Sequence, residues 1–330
     1  MSEALLRSEI IDDPAQFETL APHWWKLWEQ SSSATPFQSP AWLVPWWRTF
    51  APGGLAMVAV WRGGDLMALA PLYLEHGIDG SKLLPVGISL SDYLDILCVP
   101  GTEAPVLAAV VDKILSVEWS QWILSDLPEG GVGFAITHPD LKAGRPVAHS
   151  ACPVLALAGD ETLTGSVPYR RRRQLRRARR AASRRGRTAL SSARGDPQAC
   201  LDHLIRLHDA RWTGRGGGVL AKVAVEEFHR RSLPLLDARG LVRCWLFAID
   251  GRTVGAYYGF HDRGRAYAYL GGFDPAYSEE SPGAILIGHA IAESIREGAR
   301  EFDFLRGQEA YKYGWGAVDR WTMRRIWTRS

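Results

Sequence analysis

Between Glu301 and Trp315 the chain reads EFDFLRGQEAYKYGW. An apolar alternation runs straight into charge: Asp303 and Glu309 are carboxylates, Arg306 and Lys312 are cations, and Tyr311 and Trp315 stand among them. A solvated loop has no use for a tryptophan, and a core segment has no use for charges. Carboxylates, cations and phenols at this spacing can move protons and stabilise charge that develops in a reaction. The plainer reading is a buried ion pair, Arg306 with Glu309 or Asp303 with an arginine, that fixes the end of a strand.

Three further groups could do chemistry. SDYLD places Asp92, Tyr93 and Asp95 after a glycine-containing turn, where they could recognise an acceptor's amine or hydroxyls, or form a strand-entry turn with Asp92 as a local cap. LHDARW puts His208, Arg211 and Trp212 on one side of a helix, with His208 a candidate base or a packing residue. Residues 170–187, RRRRQLRRARRAASRRGR, hold eleven arginines and no acid. Removing those charges from the net +3 leaves −8 on the rest, so the basic character is local. Ser166 can cap this helix, Pro168 can start it and Gly186 can stop it, with Tyr169, Leu175, Ala178 and Ala182 as a thin apolar stripe. Arg170, Arg171, Arg172, Arg173, Arg176 and Arg177 are the candidate polyanion contacts. They suit RNA, an anionic sugar nucleotide or lipid-linked diphosphate, a cyclic dinucleotide or a membrane surface; no DNA contact is expected.

Other chemistries find no support. The four cysteines lie far apart with no CxxC pair, which suggests free thiols in a reducing compartment. The nine histidines show no HxxxH or HxH spacing, so no metal is proposed. GxSxG is absent, which argues against a hydrolase triad. Most of the fourteen tryptophans, clustered early at Trp24, Trp25, Trp28, Trp42, Trp46 and Trp47, should be core. No apolar run has the length of a membrane helix and the N-terminus has no signal core, so a cytoplasmic location is expected, with the inner-membrane surface open through the arginine helix.

The elements that must position these residues follow a repeated order. At 330 residues, with 46% hydrophobic and 23% charged content, two packed domains are expected. LLRSEII reads as a strand, PAQFETLAPHWWKLWEQ and PAWLVPWWRTF as helices, LAMVAVW and LMALAPLYL as a hairpin, EAPVLAAVVDKIL as a helix and QWILSDL as a strand. The second half repeats this: RTALSSA, the helices PQACLDHLIRLHDARW and VAVEEFHRRSLPLLDA, the hairpin LVRCWLFAI/TVGAYYGF, the strand AYAYLGGF, the helix GAILIGHAIAESIREGA and the strand EFDFL. The class is α/β, a mixed sheet covered by helices, in two units spanning 1–158 and 159–330.

This order, closed by a short helix and a last strand WTMRRIW, resembles the GNAT N-acyltransferase fold. Two such units in tandem resemble the Fem aminoacyltransferases of peptidoglycan synthesis. The motifs FQSPAWLVPWW, SDYLD, the arginine helix, LHDARW, YLGGFDPAYSEESPG and EFDFLRGQEAYKYGW together resemble the bacterial GNAT-like acetyltransferases associated with cellulose or exopolysaccharide synthesis, the CelD type. The resemblance implies acyl transfer to an amine or hydroxyl. It implies that AYAYLGGF and EFDFL splay apart around acetyl-CoA or another acyl-CoA, with Gly271, Gly272, Phe273, Gly283 and Ala284 along the donor. It also implies Tyr311 as an acid for the leaving group, Lys312, in YKYGWG, as a phosphate or oxyanion ligand, and Asp303 or Glu309 as a base. Arg306 and Trp315 would face the acceptor. The usual pyrophosphate pattern Q/R-x-x-G-x-G/A is not kept: Glu280 stands where Gln or Arg belongs and Ile285 where Gly or Ala belongs.

The expected function is N-acyl transfer from acyl-CoA to an amino group of a sugar or cell-envelope precursor, a small-molecule or lipid-linked anionic acceptor, without an acyl-enzyme. A Fem-like aminoacyl transferase using aminoacyl-tRNA is the rival enzyme. A non-catalytic module binding a polyanion or nucleotide through residues 170–187 is the rival of another class.

Overall fold

The computed structural model describes residues 5–159, 162–212 and 218–330, save for the side chains of Arg211 and Trp212. The chain forms two compact units, residues 1–150 with 321–330, and residues 151–320. The last ten residues thus return to the first unit, where the sequence pattern places a single cut at 158/159.

In the first unit, in chain order, stand β1 (Leu6–Ile11), α1 (Pro14–Thr19), α2 (Ala21–Gln30), α3 (Pro40–Phe50), β2 (Gly54–Leu55), β3 (Met57–Arg62), β4 (Asp65–Ala70), β5 (Leu72–Gly77), β6 (Gly80–Pro85), β7 (Leu97–Cys98), α4 (Glu103–Leu115), β8 (Gln121–Pro128) and β9 (Leu141–Ala143). β10 (Val147–Ala156) leads into the second unit: α5 (Tyr169–Arg185), β11 (Thr188–Ser192), α6 (Pro197–Trp212), α7 (Val223–Asp237), β12 (Val242–Ile249), β13 (Arg252–Asp262), β14 (Arg265–Phe273), α8 (Pro282–Arg296), β15 (Glu301–Asp303), α9 (Ala310–Tyr313) and β16 (Val318–Arg329).

The first unit holds an antiparallel sheet in the order β1-β3-β4-β7 and a second ladder in which β6 and β8 run parallel. Val58, Val60, Val106, Val110, Trp122 and Trp327 fill its core. Prolines draw boundaries that periodicity alone misses. Pro71 has no N–H for a ladder, and the stretch LMALAPLYL divides there into β4 and β5, which pair in different sheets. The single helix expected over 14–30 divides at Leu20, with Pro22 in the first turn of α2 where a missing N–H costs nothing. Pro45 is accommodated inside α3.

The second unit has the ladder β11-β12-β13-β14-β15-β10. All neighbours are antiparallel except β14 and β15. Leu175, Ala178 and Ala182 of α5 pack with Ile285 and Ile291 of α8 and with Phe302 and Trp315. Two details of α5 differ from expectation. Ser166 does not cap it; its Oγ accepts the Ala158 N–H at 2.8 Å. Tyr169 is not on the apolar stripe; it is 64% exposed and carries the Arg172 and Arg176 guanidinium groups over its ring at 5.8 Å each. Gly186 ends the helix as expected. Among the described residues no helix is long and apolar enough to cross a membrane.

Candidate active site

The site begins where two parallel strands part. β14 pairs with β15 only over Arg265, Ala266 and Tyr267. After Asp303 the chain turns away through Leu305, whose φ is 58°, and the Phe304 and Gly307 N–H groups bond to the Pro153 and Ala151 carbonyls. On the other edge of β14 the register with β13 shifts: Tyr258 faces Leu270, Gly259 faces Ala268, and Tyr269 is the extra residue of a bulge. A bulge frees backbone groups from the ladder and re-aims a strand.

Along β14, beyond its pairing with β15, lies a cleft of about 400 Å³. Gly271, Gly272 and Phe273 line it from β14, and Gly283 and Ala284 from the start of α8, so all five residues expected along the donor meet there. Tyr257, Tyr269, Tyr311 and Arg171 complete the wall. Burial pushes the Tyr257 hydroxyl well above its ordinary range, so it stays protonated. Gly272 is a glycine because α6 lies against it: a Cβ there would stand 3.2 Å from the Leu207 Cβ. Among the described residues the lining contains no carboxylate and no imidazole.

The cluster after β15 separates into one residue that reaches the cleft and several that hold the loop. Tyr311 reaches it and is 50% exposed. Lys312 does not: its ammonium is 3% exposed and donates to the carbonyls of Leu305, Arg306 and Gly307 at 3.1, 2.8 and 3.0 Å. Glu309 closes the same knot, with Oε2 2.9 Å from the Lys312 Nζ and its carboxylate folded over Gly307. Asp303 is fully buried and accepts the Leu305 N–H at 2.7 Å, which fixes the turn. Geometry therefore gives Asp303, Glu309 and Lys312 loop-holding roles in place of the expected base and oxyanion ligand, and Arg306 enters through its carbonyl. Trp315, expected to face the acceptor, is buried under α5, with the Arg171 guanidinium 4.2 Å from its ring.

Beside the cleft, along α5, runs an open groove of about 580 Å³ that shares Arg171, Ser281 and Ala284 with it. Arg177, Arg180 and Arg184 line the groove, as does Glu279. Of the six arginines expected to meet a polyanion, Arg171 and Arg177 are there; Arg170, Arg172, Arg173 and Arg176 are not. Arg172 is turned to the Val167 carbonyl and Thr164. Ser281, which precedes α8, gives no side-chain cap; Pro282 has no N–H and the Ala284 N–H bonds back to the Ser281 carbonyl, so the Gly283 N–H is the first-turn donor left for an anion.

SDYLD lies in the first unit. Asp92 and Tyr93 are 3% and 4% exposed. Asp95 accepts the N–H groups of Val132, Gly133 and Ile96 at 2.6, 2.8 and 2.8 Å, which ties this segment to the turn at 132–133. Burial nonetheless pushes its carboxyl up to about 6, against the pull of those three donors. His208 is buried on α6 and does not line the cleft; the side chains of Arg211 and Trp212 lie outside the described residues. The sequence pattern did not single out Tyr257, the bulge at Tyr269, Arg180 or Arg184. Only the last two carried a signal, at helical spacing from Arg177.

Residues 169–313 match a family model described as an acetyltransferase (GNAT) domain. The fold is similar to that of FemX, with 11% identity, 97% of this chain and 96% of that one covered, and a TM-score of 0.67. It is also similar to L-PGS from Bacillus licheniformis, with 12% identity, 97% and 92% covered and a TM-score of 0.57. A conserved protein of unknown function from Bacteroides thetaiotaomicron gives 12% identity, 98% and 100% covered and a TM-score of 0.55. No curated protein matches the sequence. The fold class is the mixed α/β, Fem-like GNAT class expected from the order of elements.

Proposed function

We propose that the protein is an N-acyltransferase that moves an acyl group from acyl-CoA to an amino group, with a sugar or cell-envelope precursor as the acceptor. The observation that carries this is the cleft along β14 beyond its short pairing with β15, lined by Gly271, Gly272, Phe273, Gly283, Ala284 and Tyr311. An acyl-pantetheine chain fits such a slot. The free edge of β14 offers it peptide-like hydrogen bonds, and the apolar wall excludes water. The Gly283 N–H in the first turn of α8 suits the diphosphate. The donor supplies an activated thioester, and this chain positions it and handles charge and proton. Backbone N–H groups of β14 beside the register shift are the candidates to stabilise the oxyanion. The acceptor nitrogen bonds to the acyl carbon, the carbon–sulfur bond breaks, and Tyr311 gives its hydroxyl proton to the sulfur and recovers one from the nitrogen. The products are an amide and a thiol, with Tyr311 unchanged. Such a relay asks for no carboxylate in the cleft.

The test is thiol release from acetyl-CoA across a panel of amino sugars and envelope precursors. Tyr311→Phe should lower kcat by about 10²-fold, in the range of a single general acid, while the unfolding midpoint stays put. Wild-type activity in this variant would remove Tyr311 from the chemistry. A second reading, aminoacyl transfer from aminoacyl-tRNA, has its own observation in its favour: the arginine groove opens beside the cleft, and Glu280 stands in the sequence in place of the usual Gln or Arg.

A further inference from the structure

The groove along α5 is built by helical spacing. Arg177, Arg180 and Arg184 fall at i, i+3 and i+7, on the side of the helix that turns toward the start of α8. From Arg177 to Arg184 is two turns, a row of about 10 Å. Among the described residues these three guanidinium groups make no hydrogen bond and no ion pair, although the chain outside residues 170–187 is acidic overall. Several other arginines of the helix are occupied. Arg171 lies over Trp315, Arg172 is held by Val167, and Arg185 lies 3.7 Å from the buried Glu280 and over the Tyr277 ring at 5.2 Å. Glu279 is the one acid on the groove wall. Three unpartnered cations in a row repel one another and stabilise nothing in the free protein, so their arrangement suits a bound anion.

The place of the groove says which anion. It meets the cleft at Ser281, Ala284 and Arg171, the point where the phosphate end of a donor seated in the cleft must emerge. A volume of about 580 Å³ suits one nucleotide and not a duplex. Resting on the acyl-CoA reading, we infer that Arg177, Arg180 and Arg184 form the subsite for the donor's nucleotide end and contact its sugar-bound 3′-phosphate. α5 thereby provides the charge that Glu279 and Glu280 do not provide at the start of α8.

The experiment is calorimetric titration of the full chain with CoA and with 3′-dephospho-CoA. Wild type should bind CoA about ten-fold tighter than its dephospho form, the scale of one lost charge-assisted contact. The triple variant Arg177→Gln, Arg180→Gln, Arg184→Gln should lose that preference while still binding dephospho-CoA. Arg173→Gln with Arg176→Gln, off the groove, should keep it. Circular dichroism and the unfolding midpoint should match wild type in both variants. A triple variant that retains the full preference overturns the subsite and leaves the acyl-CoA reading standing. A wild type that binds neither form overturns both. If wild type instead binds a single-stranded RNA ending in CCA and the triple variant does not, the groove belongs to RNA, and the inference falls with the acyl-CoA reading.

Discussion

At the scale of single residues, Lys312 decides how the strand-end cluster should be understood. A buried ammonium costs much free energy unless its protons are taken up. Three carbonyls and the Glu309 carboxylate take them up here. Lys312→Met should strand those carbonyls and lower stability by about 2–4 kcal/mol, seen as a shift in urea midpoint. Activity should fall with it, because the loop that carries Tyr311 is no longer held. Glu309→Gln should cost much less, since that side chain is 59% exposed and water screens the pair. A Lys312→Met protein as stable as wild type but inactive would return the lysine to the chemistry. The sequence could not separate these roles. A lysine saturated by its own loop and a lysine facing substrate look alike as letters, because the difference lies in which carbonyls converge on the ammonium.

At the scale of elements, the strands, helices and hairpins were legible, because period-two and helical apolar patterns and cap-plus-proline signals are local. The splay of β14 from β15 was legible only through the resemblance. The bulge at Tyr269 was not legible at all, since register belongs to a pair of strands and not to either sequence. β10 was missed because VAHSACPVLA carries weak alternation and a proline. Two glycines test the element that forms the cleft. At Gly259, next to the bulge, a Cβ would lie 2.3 Å from the Tyr267 carbonyl oxygen on β14, a backbone atom that cannot swing aside. At Gly271 the nearest atom would be 3.8 Å away, an ordinary contact. Gly259→Ala should therefore push β14 off register, costing about 1–3 kcal/mol and donor affinity together. Gly271→Ala should keep wild-type stability and lose affinity alone, by adding a methyl group to the cleft wall. Equal stability in the two variants, compared by thermal unfolding, would mean that the bulge is not tightly packed.

At the scale of the whole molecule, each unit has a hydrophobic core of its own, and each buries a titratable group whose linkage to pH has the opposite sign. In the first unit the Asp95 carboxyl is raised to about 6, above its unfolded value near 4. Between those values the folded state holds the extra proton, so this group adds stability as pH falls from about 6 toward 4 and removes it as pH rises. In the second unit His229 is 1% exposed, and burial lowers its ring to about 3. The unfolded ring binds a proton from about 6.5 downward while the folded one stays neutral, so stability is lost as pH falls through that window. Acidification from pH 7 to 5 should therefore weaken the core around α7 relative to the core around Asp95 and broaden or split calorimetric unfolding. Two variants isolate the terms. Whatever His229→Gln costs at pH 7, it should flatten the loss of the second unit's transition toward pH 5. Asp95→Asn should abolish the first unit's gain and, by turning an amide toward three backbone N–H groups, cost about 1–3 kcal/mol at any pH. A single sharp transition whose pH dependence neither substitution alters would show that neither buried group titrates with folding. The resistance of the two cores to acid would then have to come from their surfaces.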